Sequence, residues 1–295
     1  MRAAITVIAA FCALSASAPA SELASAWLKA SGRHFSRPHD LTLSPDGRYL
    51  YVADLGNHRV AVVDPETLEP VGVIGRKELA SPHDVAFDRD GRLLVADTGN
   101  DRIAVYEVTG TAGVLVEQLR DGLGRPEGVA EGPDGRIYVT NVAFHNVVVL
   151  SGAKALASVG GPGSGPNEYR RPHDIEVDAQ GRVYVADPGN DRIQILSPTL
   201  ERLGALGGGD PYDFDELKYM KLDASGWLFV ADQHNDRIKV YDAEHRPVAV
   251  LGSGKRGDGV NELNLPEGVE ARGNRVWISD TYNGRMVLYE LERSQ

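Results

Sequence analysis

One pattern recurs six times along the chain and restricts the fold before any single residue is considered. It is clearest in Arg182–Ile195, R-V-Y-V-A-D-P-G-N-D-R-I-Q-I. Leu50–Val62, Leu93–Val105, Leu228–Val240 and Val276–Leu288 are close copies, and Ile137–Val149 (I-Y-V-T-N-V-A-F-H-N-V-V-V) is a divergent one. The Asp or Asn after the apolar run falls at Asp54, Asp97, Asn141, Asp187, Asp232 and Asp280, spaced by 43, 44, 46, 45 and 48 residues. A period of that size marks a propeller or solenoid unit that buries its apolar faces only against its neighbours.

Within each unit the apolar residues follow the two-residue period of strands. Leu41/Leu43, Val85/Phe87, Ile175/Val177 and Met220/Leu222 mark a first strand. Asp46-Gly47, Asp90-Gly91, Asp134-Gly135 and Ser225-Gly226 then supply a tight hairpin. A second strand, the Asp-x-x-Asn-x-Arg turn, a third strand and a fourth follow, the fourth being Val71–Ile74, Leu203–Leu206 or Val248–Leu251 in different units. Four short antiparallel strands per unit of about 45 residues predict a blade, and six units predict an all-β, six-bladed propeller. The sixth unit ends one strand short. The segment Ala26–Ala30 is expected to supply that strand and so close the ring without an open edge.

Residues 1–20 read as a signal peptide, with Arg2, an apolar run over Ala3–Leu14 and the small-residue site Ala18-Pro19-Ala20. That leaves 21–295 as one propeller domain, exported to the periplasm or the extracellular space. A lipid anchor at Cys12 is disfavoured because Phe11 precedes it. The apolar run is too short to span a bilayer. Cys12 is the only cysteine, so the chain beyond the leader offers neither a disulfide framework nor a thiolate nucleophile. A net charge of −11 without Lys/Arg runs argues against nucleic acid and anionic membranes as partners.

The loud motif reads as scaffold, because a site would not repeat in every blade and Asp and Asn are turn-forming residues. Function is expected where loops vary, on the top face that carries the second-to-third-strand turns and the blade entries. Three histidines share one position there, in Pro38-His39-Asp40, Pro82-His83-Asp84 and Pro172-His173-Asp174. Glu127, Lys218 and Glu267 fill it in the other units. This position starts the innermost strand, so the six side chains should ring the mouth of a central channel. Imidazoles and carboxylates so placed suit a divalent cation, with Zn²⁺ first and Ca²⁺ second, held by His39, His83, His173, Glu127 and Glu267. Asp40, Asp84 and Asp174 are expected to orient neighbouring imidazoles. Two other places stand out. Unit three replaces the Asp/Asn/Arg trio with Asn141, Phe144, His145 and Asn146, and the acidic, aromatic stretch Gly207–Tyr219 is expected to form a lid over the channel.

The V-A-D-x-x-N-x-R-I core with its Gly-rich approaches, Gly160–Pro172 and Gly252–Pro266, resembles the NHL repeat family and its six-bladed propellers. A second, narrower resemblance is to the peptidyl-α-hydroxyglycine amidating lyases. These carry a histidine-bound zinc at the channel mouth, one of the histidines in a Pro-His-Asp setting, and a tyrosine following a Ser-Asp pair. The resemblance implies metal ligation by His39, His83 and His173 and a base role for Tyr282 of Ser279-Asp280-Thr281-Tyr282. Arg125 and Arg171 are the candidates for those enzymes' arginine, while their cysteines have no counterpart. Two function classes follow. One is a metal-dependent lyase or hydrolase acting on a small molecule or peptide. The other is a non-catalytic propeller that binds a protein or ligand in the cell envelope.

Overall fold

The computed structural model describes residues 23–209 and 212–293. The signal-peptide reading therefore falls outside the described residues, as do Asp210 and Pro211 of the acidic stretch. The described chain forms six four-stranded antiparallel sheets around a central channel. Blade one comprises Pro38–Leu43, Leu50–Asp54, Arg59–Val63 and Pro70–Ile74, numbered outward from the channel. The last blade takes Val269–Arg272, Arg275–Asp280 and Arg285–Leu291 from the end of the chain. Its outer strand is Ser25–Ala30, which pairs antiparallel with Arg285–Leu291. The N-terminal closure is thus present, and Trp27 packs edge-on against Tyr289 to hold it.

The second strands are buried on both faces, which is why they read as unbroken apolar runs. Leu50 and Val52 pack towards the sixth blade, with Met286 and Leu288, whereas Tyr51 and Ala53 pack towards blade two, with Val85 and Leu93. The core is therefore six interfaces between neighbouring blades. Each fully buried Val or Leu contributes roughly 1.5–3 kcal/mol to them.

The repeated Asp explains its own recurrence. In blade two, Asp97 accepts hydrogen bonds from Ala80 N (2.7 Å), Asn100 Nδ2 (2.8 Å) and Arg102 Nε (2.7 Å). Asp54, Asp187, Asp232 and Asp280 do the same in their blades, each tying the blade entry to the second-to-third-strand turn. Blade three keeps the function with different atoms. Asn141 Oδ1 accepts from Gly124 N, while its Nδ2 donates to Asn146 Oδ1 at the position of the missing arginine. That break in the repeat is a compensated variant of the scaffold.

In three blades the residue after this Asp reaches across to the next blade. Thr98 Oγ1 donates to Pro126 O, Thr281 Oγ1 to Pro38 O (2.9 Å), and Gln233 Nε2 to the carboxylate of Glu267. Replacing buried Thr281 by valine should cost about 1–2 kcal/mol, because it leaves a buried carbonyl unpaired without changing volume. A thermal melt would register this as a loss of about 2–8 °C, and an unchanged midpoint would refute the role.

Candidate functional site

The inner strands begin with a local irregularity that decides what faces the channel. Pairing slips by one residue between Pro38 and Leu41, and again between Pro82 and Val85, Pro126 and Val129, and Leu217 and Met220. Such a bulge re-aims side chains. Neighbours that would otherwise point to opposite faces therefore both serve the channel, His39 in an upper ring and Asp40 in a lower one.

The upper ring brings together every residue of the expected set. His39, His83, Glu127, His173, Lys218 and Glu267 line one cavity of about 320 Å³ at the mouth. His39 Nε2 lies 3.1 Å from Glu267 Oε2, and Glu127 faces His173 at 3.3 Å and His83 at 3.9 Å. The rings of His39 and His83 meet edge-to-face at 4.9 Å, and those of His83 and His173 stand 6.1 Å apart. His39 Nδ1 sits 3.1 Å from Arg37 O, and His83 Nδ1 2.9 Å from Ser81 O. A carbonyl only accepts, so Nδ1 carries the hydrogen and the Nε2 lone pair points into the channel.

Burial governs the protonation of these groups. It lowers His39 and His83 to about 3, with cationic Lys218 adding to the effect at both, and it holds His173 well below its ordinary value. Burial lifts Glu127 and Glu267 to about 7 against the opposing pull of Lys218. A proton that enters the contact between His39 and Glu267 is therefore taken by the carboxyl rather than by the imidazole.

The lower ring corrects one expectation. Asp84 and Asp174 do not orient imidazoles. Asp84 Oδ2 accepts from Val129 N at 2.6 Å and Asp174 Oδ2 from Met220 N at 2.7 Å, each bracing the inner strand of the following blade. Glu270 does the same for Leu43 N across the closure. Asp40 is held near Asp84, and burial followed by the charges of Asp84 and Asp174 pushes its pKa well up. Backbone carbonyls have taken the place at His39 and His83 that the aspartates were expected to fill. Gly128 shows how tightly these strands approach, since a Cβ there would lie 2.8 Å from Asp174 Cα.

Tyr219 is a site residue that sequence reasoning assigned only to the acidic loop. It is fully buried, its ring lies 4.9 Å from that of His173 and 6.3 Å from that of His39, and its hydroxyl has no hydrogen-bond partner. Its offset from Lys218 was the available clue: the bulge turns the residue after each ring position inward as well. The rest of the stretch is not a lid. Phe214 is buried against Tyr241, Tyr212 donates to His245 O, and Asp213 pairs with Lys239 and Arg237. Tyr282 stands on the exposed turn of the last blade, 56% exposed, and is not among the residues lining the mouth cavity.

Donor type suits a divalent cation, because three neutral imidazoles, two of them with the tautomer fixed by a carbonyl at Nδ1, stand beside two carboxyl groups. Spacing is less complete. Among the described residues no three His, Cys, Asp or Glu side chains already surround one point as metal ligands. Cation binding would require the imidazole–carboxyl contacts to open.

The NHL repeat family matches residues 35–63, 79–106 and 169–196, which lie in blades one, two and four. The chain is 29% identical over 198 residues to a gluconolactonase of Zymomonas mobilis, covering 57% of this chain and 53% of that protein. It is 49% identical over 141 residues to human NHL repeat-containing protein 3, covering 48% of this chain and 31% of that protein. The chain thus spans about half or less of the length of these relatives. Among solved structures, a streptogramin B lyase superposes with a TM-score of 0.62 at 13% identity, over 88% of this chain and 94% of that one. A catalytically inactive virginiamycin B lyase from Staphylococcus aureus with quinupristin gives 0.62 at 14% identity, over 92% and 100%. At such identities these two structures share the fold and carry no more than that. Repeat signature and blade count agree: the chain carries NHL repeats, and its described residues form a six-bladed β-propeller.

Proposed function

We propose that this chain is an exported lyase or hydrolase that acts on a small molecule or peptide end at the channel mouth. In this reading a divalent cation, Zn²⁺ before Ca²⁺, is held by Nε2 of His39, His83 and His173 and completed by Glu127 or Glu267. The observation that carries it is the upper ring, where three buried neutral imidazoles, those of His39 and His83 with inward lone pairs, line one cavity with two carboxyls of pKa about 7. Such an ion, when bound, supplies Lewis acidity towards a substrate oxygen. The remaining roles belong to the protein. Glu127 and Glu267, poised near neutrality, take up or deliver a proton with little driving force wasted. Lys218 sets the local field, and Tyr219 closes the channel beneath the ligand. Tyr282 keeps the position in the chain that the lyase resemblance gives to a base, but Glu127 already lines the cavity. Gluconolactonase among the relatives adds support for a hydrolytic or ring-opening reaction, and the resemblance to amidating lyases for cleavage of the Cα–N bond of an α-hydroxyglycine, its hydroxyl becoming the aldehyde of the leaving glyoxylate.

Metal analysis of the purified protein decides the first part. One equivalent of Zn²⁺ should be retained after dialysis and lost in the variant His39→Ala/His83→Ala/His173→Ala. Equal retention by that variant, or none by the parent protein after Zn²⁺ loading, would sink the metal centre. Turnover of an α-hydroxyglycine peptide or a sugar lactone by the loaded protein should then follow. Metal retention without turnover of either would favour the non-catalytic binding propeller.

A further inference from the structure

The residue two positions before each ring residue occupies the left-handed region in all six blades: Arg37, Ser81, Arg125, Arg171, Glu216 and Leu265, with φ of 50°, 53°, 49°, 60°, 51° and 49°. Non-glycine residues pay roughly 1–2 kcal/mol for that conformation, and Arg has no preference for it. The backbone is held there from the neighbouring turn. The N–H of Ser81, Arg125, Arg171, Glu216 and Leu265 donates to the side chain of His58, Asp101, His145, Asp191 and Asp236, respectively. His58 and His145, on the second-to-third-strand turns of their blades, are thereby accounted for as braces. The device fixes a second circle of side chains around the entrance, above the imidazoles.

The two halves of that circle differ. In one, Arg171 pairs with Glu216 at 3.0 Å and Lys218 with the same carboxylate at 3.1 Å, so the charges are internally matched. In the other stand Arg37, Ser81 and Arg125. Among the described residues neither guanidinium has an ion-pair or hydrogen-bond partner, nor does the Ser81 hydroxyl. Both arginines are exposed and edge a cleft of about 550 Å³ that has His39 and His83 in its wall. The carboxylate in this cleft, Asp101, already accepts from Arg125 N through Oδ1. Two unpaired arginines flanking a hydroxyl are thus concentrated at one side of the entrance to a chain of net charge −11.

We infer that Arg37, Ser81 and Arg125 form an oxyanion clamp that seats a carboxylate or phosphate group of a small ligand beside His39 and His83. Planar guanidinium forks match both groups in geometry, and a hydroxyl between them adds a donor. The clamp is separate from the imidazole–carboxyl ring and does not depend on a metal being held there.

The test uses the full chain, freed of metal by chelation and dialysis, titrated calorimetrically with inorganic phosphate, with malonate and with neutral glucose. One or both anions should bind, more weakly in 0.5 M than in 0.1 M NaCl, and glucose should not. Arg37→Gln/Arg125→Gln should weaken anion binding at least tenfold. Arg171→Gln, whose guanidinium is already paired, should stay within about threefold of the parent. The His39→Ala/His83→Ala/His173→Ala variant should still bind the anion, which separates this clamp from the metal site. The arginine variants should melt within about 2 °C of the parent, because the substituted side chains are exposed. The preferred anion identifies the ligand class. No binding of either anion, equal binding by the double variant, or an equal loss in Arg171→Gln would overturn the clamp.

Discussion

Replacing Asp97 by alanine should destabilise the protein by about 3–5 kcal/mol, the range for stripping one partner from a buried ion pair. Asp97 is fully buried, and the side chain of Arg102, its partner, is 7% exposed. The variant would leave a guanidinium in the interior together with the unpaired N–H of Ala80. The same change at Asp232 should cost less, because the Arg237 side chain is 22% exposed and water can take over part of the loss. The chain itself contains the compensation. In blade three an Asn–Asn pair, Asn141 and Asn146, does the work of Asp and Arg. The double variant Asp97→Asn/Arg102→Asn should therefore recover more than half of the stability lost in Asp97→Ala, although it forgoes the bonds from Arg102 to Glu78 O and Gln118. Urea unfolding of the three variants measures this. If the double variant is no better than Asp97→Ala, the reading of blade three as a compensated scaffold fails.

The second large effect is a stability gain that exists only on one side of neutrality. Glu267 has an ordinary value of 4.5 and titrates at about 7 in the fold, chiefly because it is buried. A carboxyl whose pKa is higher folded than unfolded binds its proton more tightly in the native state. Its favourable contribution is complete below about 4.5 and disappears as the pH climbs through 7. At pH 8 the native protein must bury the ionised form, at a cost of about 3 kcal/mol for a displacement of that size. Glu267→Gln removes the ionisation while keeping both contacts. Its amide oxygen can accept from Gln233 Nε2, and its amide N–H can donate to His39 Nε2. The variant should melt about 5–10 °C above the parent at pH 8 and level with it at pH 4. The imidazoles run the other way: with His39 and His83 lowered to about 3, their contribution is present above 6.5 and lost as the pH falls below it. The parent should therefore lose stability on both the acid and the alkaline flank, and the variant only on the acid one. A gain of equal size at pH 4 and pH 8 would show that packing, not charge, is responsible.

Much of the candidate site was legible because it shares the repeat. His39, His83, Glu127, His173, Lys218 and Glu267 could be aligned by their distance from the signature Asp, and equivalent positions in a propeller must form a ring. Their state was not legible. That Nδ1 of His39 faces Arg37 O follows from the backbone conformation at the strand entry, and that Glu267 is a weaker acid than usual depends on burial among atoms contributed by other blades. The aspartates of Pro-His-Asp were misjudged for the same reason. Adjacency in sequence suggested service to a histidine, whereas Asp84 and Asp174 reach strands 45 and 46 residues away. Tyr219 was hidden because period-two alternation places it on the face opposite Lys218, and the bulge overrides that alternation.

The sequence by itself determined the number of blades, the four-strand order, the closing N-terminal strand and the scaffold role of the Asp-x-x-Asn-x-Arg turn. Each of these rests on hydrogen bonds within one repeat, or on an apolar period that every repeat restates. Tertiary structure alone decided which carboxyls lose their ordinary acidity, that Tyr219 is buried beside His173 and His39, and which half of the entrance keeps its arginines unpaired among the described residues. Those outcomes arise where six different blades meet around one axis. There desolvation and the charge of a neighbour some 45 residues away outweigh anything local to the chain.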